Sequence, residues 1–85
     1  MEQNGQKRLT VYNPASYHIS IQGHLPQSWR DRVGGMAVST NGNSDQDPVT
    51  ILSGQLLDQA ALMGVLNTMY LLGLPLLSVE CTSIP

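Results

Sequence analysis

Apolar and polar residues alternate strictly over Tyr17-His18-Ile19-Ser20-Ile21-Gln22, the period-two signature of a strand with one covered face. Tyr17, Ile19 and Ile21 fall on one side and His18, Ser20 and Gln22 on the other, and Gly23 ends the run. The period changes further along the chain. Beyond Ser53-Gly54, the residues Leu62, Val65, Leu66, Met69 and Leu72 recur at i, i+3, i+4, i+7 and i+10, joined by Ala61. That spacing predicts one amphipathic helix from Asp58 to Leu72, lying on a core. Asp58 is placed to cap its first turn, Gly73 to supply the left-handed residue that closes it, and Leu74 to fold back, while Pro75 forbids continuation.

The remaining elements are shorter. Met36-Ala37-Val38-Ser39-Thr40 and Val49-Thr50-Ile51-Leu52 read as two strands, close enough to pair as a hairpin around the polar stretch Asn41 to Pro48. Leu76 to Cys81 reads as the last strand, with Leu77, Val79 and Cys81 facing one way. Between the first strand and Gly34-Gly35, Pro26 to Val33 suits one or two helical turns carrying Trp29, with Pro26 at a first helical position. Residues 1–13 are polar and aperiodic and end at the turn signal Asn13-Pro14, so they are expected to form a flexible arm, within which Leu9 to Tyr12 has the composition of a short extra strand. Residues 14–85 then make a single α+β domain.

The resulting order is strand, short helix, strand, strand, helix, strand. It fits a small, mostly antiparallel four-stranded sheet with one long helix, the ferredoxin-like βαββαβ plan with a stunted first helix. The alternative reads residues 23–35 as a hairpin loop and gives a β-meander followed by a helix and a strand. The first is favoured because Trp29 needs somewhere to bury its ring.

Composition narrows the function more than the fold. The 85-residue chain has no Phe, one Trp and three Tyr, so aliphatic side chains must fill a thin core. Association is a common remedy for a thin core, and a homodimer is the expected state. Four basic residues against six acidic ones leave no cluster for a phosphate backbone, which excludes nucleic acid as a partner on electrostatic grounds. Cys81 is the only cysteine, so no internal disulfide can form, and a cytoplasmic setting is expected. The polar N-terminus does not resemble a secretory signal. Gln59 to Val79 runs without a charge, which invites a membrane reading. Gly73-Leu74-Pro75, the central Asn67 and Thr68, and the lack of basic or aromatic flanks argue against it, so no membrane association is expected.

The segments Tyr17 to Gly23, Trp29, Gly35, Leu57-Asp58-Gln59-Ala60-Ala61-Leu62 and Leu72-Gly73-Leu74-Pro75-Leu76-Leu77-Ser78-Val79-Glu80 resemble a family of short uncharacterised bacterial proteins. Those proteins share an Asp-Gln-Ala-Ala-Leu helix followed by a Leu-Gly-Leu-Pro-Leu-Leu-Ser-Val strand, and the resemblance covers most of the chain past the arm. It implies no particular activity. This chain departs from the pattern at Val33, where similar proteins often carry an aromatic residue, and at Met63, where they often carry His.

Side chains able to do chemistry are few. His18 and His24, with Glu80 on a prospective neighbouring strand, lack metal-ligand spacing, so no metal site is expected. Asp58 could act as a base, but the helix cap is the stronger reading. Cys81 lacks a group to orient a base and is expected to be a small buried hydrophobe. Gly34-Gly35 is not followed by a phosphate-loop pattern. Trp29, with Arg30 and Arg32, could stack on a base or grip a carboxylate, against the simpler role of anchoring the short helix. His18, Trp29, Arg30 and Asp58 are therefore the candidate ligand or interface residues, with no cofactor implied.

The leading expectation is a non-enzymatic homodimer or protein-interaction module, with residues such as Tyr17 or Met36 left needing cover. The alternatives are a cofactor-independent enzyme resembling the dimeric ferredoxin-like oxygenases and isomerases, with a pocket near His18, Trp29 and Asp58, and a small-molecule-sensing regulatory domain.

Overall fold

The computed structural model describes residues 8–41 and 48–85. The start of the expected arm and the expected hairpin tip lie outside the described residues. Four strands, β1 (Ala15–Gln22), β2 (Ala37–Asn41), β3 (Val49–Leu56) and β4 (Leu76–Ser83), form one sheet in the order β2-β3-β1-β4. A 3-10 helix, Gln27–Arg32, links β1 to β2, and the helix α1, Gln59–Leu71, links β3 to β4. Every neighbouring pair is antiparallel. It follows that β1 and β2 run the same way on either side of β3, and that β3 and β4 run the same way on either side of β1. These are two split β-α-β units, the ferredoxin-like plan with its first helix reduced to a 3-10 turn. A meander would have put β2 beside β1, and it does not occur.

The alternation in β1 decides which face is covered. Ala15, Tyr17, Ile19 and Ile21 are buried, while Ser16, His18 and Ser20 on the other face are half-buried. Register carries the inner face across to β3, where Leu56, Gly54, Leu52 and Thr50 stand opposite Ala15, Tyr17, Ile19 and Ile21. Leu62, Val65 and Met69 of α1 close this layer from above, with Leu25, Val33 and Met36 entering from the segments around the 3-10 helix. Tyr17 and Met36, expected to need cover, are both within this core. Gly54 adopts φ 148°, a conformation that favours glycine, where the chain before β2 packs against β3.

Both ends of α1 are satisfied locally. Asp58 Oδ1 accepts the Ala61 N–H at 2.8 Å, and the Val11 carbonyl accepts the Gln59 N–H at 2.9 Å. Two of the donors that a helix start leaves free are thereby paired. At the other end Gly73 has φ 73°, its N–H donates to the Tyr70 carbonyl, and the Leu74 N–H donates to the Met69 carbonyl, both at 3.0 Å. This is the Schellman closure, with Leu74 turned back against the core.

Several expectations are corrected. Leu9 to Tyr12 is not a strand. Thr10 to Asn13 forms a turn in which the Asn13 Oδ1 accepts from both the Thr10 N–H, at 3.2 Å, and its hydroxyl, at 2.7 Å. Such side-chain bonds compete with extended pairing. Pro26 precedes the 3-10 helix as its cap instead of starting it. Leu77 does not share a simple face with Val79 and Cys81, because the β1–β4 register passes from Ser20↔Ser78 to Ile21↔Leu76, leaving Leu77 in an irregularity. Cys81 is exposed, not buried, because β4 is a border strand of the sheet, all eight of whose residues are exposed.

Two substitutions test this account. Ile19→Ala, at a site with no solvent exposure, should lower unfolding free energy by about 3 kcal/mol, measured by denaturant titration. Thr50 is fully buried and its hydroxyl donates to the Gly23 carbonyl at 2.6 Å. Thr50→Val keeps the shape and should cost about 1 kcal/mol through that carbonyl alone; a neutral result would place no value on the bond.

Candidate functional site

The four candidate residues divide between the two faces of the sheet. His18 belongs to the open face, because Tyr17 and Ile19 on either side of it point into the core. Register places Ser53 of β3 opposite it on one side and Glu80 of β4 on the other. Ser16 and Ser20 of β1, Ile51 of β3, Ser39 of β2 and Ser78 of β4 occupy the same face by the same register. The result is a surface on which serine hydroxyls and Ile51 surround one imidazole and one carboxylate. Ser53 escaped the sequence reading, since only the strand order brings it beside His18. His24, one residue past Gly23, is exposed in the following loop. Among the described residues, no three His, Cys, Asp or Glu side chains converge as a metal site would require.

Trp29, Arg30 and Asp58 lie with the helical layer. Trp29 is half-buried and packs against the core, with the Arg32 guanidinium carbon 4.7 Å from its ring centroid. The ring seats the 3-10 helix on the core, and the cation–π contact within that helix covers the ring's outer face. Arg30 is half-buried in the same turn, and its Nε is enclosed without a hydrogen-bond partner among the described residues. Asp58 spends one carboxylate oxygen on the helix cap. A pocket shared by His18, Trp29 and Asp58 would have to pass through the sheet. A cleft of about 300 Å³ does occur elsewhere, between Arg8, Asn13, Pro14, Ile84 and Pro85. Apart from one guanidinium and one amide side chain, it offers no reactive group.

The most unusual surface is β4. It pairs with β1 along one side only, and Leu76, Leu77 and Val79 are 50%, 51% and 38% exposed. In the helical layer, Met63 and Tyr70 of α1 are 54% and 79% exposed. Exposed apolar side chains on a border strand are what folded domains usually cover or blunt. No helix among the described residues is long and apolar enough to cross a membrane.

Fold and surface together define a small ferredoxin-like α+β domain with a reduced first helix and one uncovered apolar edge. The chain belongs to the family described as "Domain of unknown function (DUF8691)", whose model matches residues 16–80. The match runs from the second residue of β1 to the fifth of β4 and takes in most of the sheet and all of the helix. No curated protein and no solved structure matches the chain.

The assignment of Asp58 as a cap has a direct test. Asp58→Ala should lower stability by about 1 kcal/mol, and Asp58→Asn, which retains an acceptor, should restore most of it in thermal unfolding. A carboxylate with another task would show no rescue by the amide.

Proposed function

We propose that this chain acts by association and not by catalysis, as a small homodimeric interaction module. The observation that carries this reading is the exposure of β4. A strand of eight residues, three of them large aliphatic side chains at least 38% exposed, has a single strand neighbour among the described residues. Isolated domains blunt such an edge with charge, proline or brevity, and β4 carries a single charged residue, Glu80, with Pro75 just before it. The twelve buried hydrophobic residues of the core include no Phe and no Trp, and a second copy would add the apolar burial that a core of this size lacks.

The finer features of the reading follow from the same residues. The exposed thiol of Cys81 fits a reducing, cytoplasmic setting. The Asp58–Leu62 helix start and the Leu72–Val79 closure and strand, which carry the resemblance to short bacterial proteins, are the segments that build α1 and deliver β4 to the sheet edge. The shared pattern is therefore one of architecture and edge presentation.

Light scattering coupled to size exclusion is the test. The expected mass at micromolar concentration is that of two chains, about twice 9.2 kDa. A monodisperse monomer at high micromolar concentration would overturn the proposal.

A further inference from the structure

We infer that two copies join by antiparallel pairing of β4 with β4 about a two-fold axis normal to the sheet, giving one eight-stranded sheet with both α1 helices on the same face. This rests on the homodimer reading above and specifies its contact. The sheet has two edges, and they differ. β2 is five residues long and ends in Ser39, Thr40 and Asn41, whereas β4 is eight residues long and presents Leu76, Leu77 and Val79. Only β4 offers both a free row of backbone hydrogen-bonding groups and apolar area to bury.

The helix shows what kind of partner fits that edge. Leu62, Val65 and Met69 point into the core. The Val65 Cγ2 lies 3.8 Å from where a Cβ on Gly34 would stand, and the same position is 2.8 Å from the Leu56 Cδ2 of β3. That flank of α1 therefore looks towards β3. At about 100° per residue, Leu66, Met63 and Tyr70 fall on the opposite flank, which looks towards β4. Register sets Val79 opposite Ile19 and Cys81 opposite Tyr17, so Val79 and Cys81 share the inner face below this flank.

Symmetry connects the two halves of the surface. Identical strands can pair antiparallel only about an axis perpendicular to their sheet, because an axis along the strands would leave them parallel. A perpendicular axis keeps inner face with inner face. It brings the two Met63–Tyr70 flanks towards each other over the joined β4 strands, covering Val79 and Cys81 of both copies. An unrelated strand added to β4 would satisfy the edge but bring no helix to that flank, and this selects a second copy. A standard interface takes about 800 Å² from each partner, roughly one-seventh of the 5590 Å² exposed here. Eight residues of β4 and three of α1 are fewer than the roughly 20–30 a side of a standard interface, so the pairing belongs at the small end of the range. Pairing centred on Val79 also sets Glu80 opposite Ser78, so that the two carboxylates do not face each other directly.

The test places single thiols in a Cys81→Ser background. Val79→Cys should be joined by a short thiol-reactive crosslinker at least tenfold faster than Thr40→Cys on β2, since only Val79 meets its own mate at the axis. Independently, Val79→Lys should raise the dimer dissociation constant at least tenfold by light scattering while circular dichroism shows unchanged helix, because Val79 is exposed in the single chain. If Val79→Lys fails to fold, the crosslinking comparison decides alone. A dimer whose Val79→Cys form links no faster than Thr40→Cys overturns this contact and leaves the homodimer standing. A monomer throughout overturns both.

Discussion

The inner face of β1 against α1 is the contact on which the rest of the structure depends. Ile19 and Ile21 have no exposure, and Met69 and Val65 above them have almost none. Burying an aliphatic side chain of this size contributes about 1.5–3 kcal/mol. β1 is also the only strand that pairs with β3 on one side and β4 on the other. Loss of its register by one residue would send Tyr17, Ile19 and Ile21 to the open face and leave α1 resting on His18 and serines. The strand order, the path of both connections and the side to which each reactive group points all follow from that single alternation.

What could be read from the chain beforehand was whatever is decided locally. The helix was legible because Asp58, Gly73, Leu74 and Pro75 act within one turn of its ends, and their bonds to Ala61, Tyr70 and Met69 involve near neighbours in sequence. The βαββαβ plan followed from element order together with the need to seat Trp29. The fate of β4 was not legible. Leu76, Leu77 and Val79 have the composition of a core strand, and whether they are covered depends on where the axis of α1 comes to rest, which no short-range pattern encodes. Cys81 was misjudged for the same reason. Leu9 to Tyr12 misled in the opposite direction, since its strand-like residues are overruled by hydroxyl and amide bonds between Thr10 and Asn13.

The candidate chemistry was legible as residues but not as a site. A side chain on a strand belongs to one face or the other, and His18 was assigned to the polar side from the start. The separation from Trp29 and Asp58 is then unavoidable once α1 and the 3-10 helix occupy the same layer. Partners across the sheet, Ser53 and Glu80, are set by register between strands distant in sequence. Trp29 and Arg32, one turn apart on a six-residue 3-10 helix, meet because the ring is pinned to the core and the guanidinium lies over its exposed face.

The unequal lengths of the two border strands bear on how far such a sheet can grow. Five residues ending in Ser39, Thr40 and Asn41 make a short template at one border, while in the proposed dimer the other, longer border is taken up by its mate. Under the proposed β4–β4 contact, sheet extension would be self-terminating: it would close at a pair and give no open-ended fibril, without any need for a charged guard on the strand that does the joining.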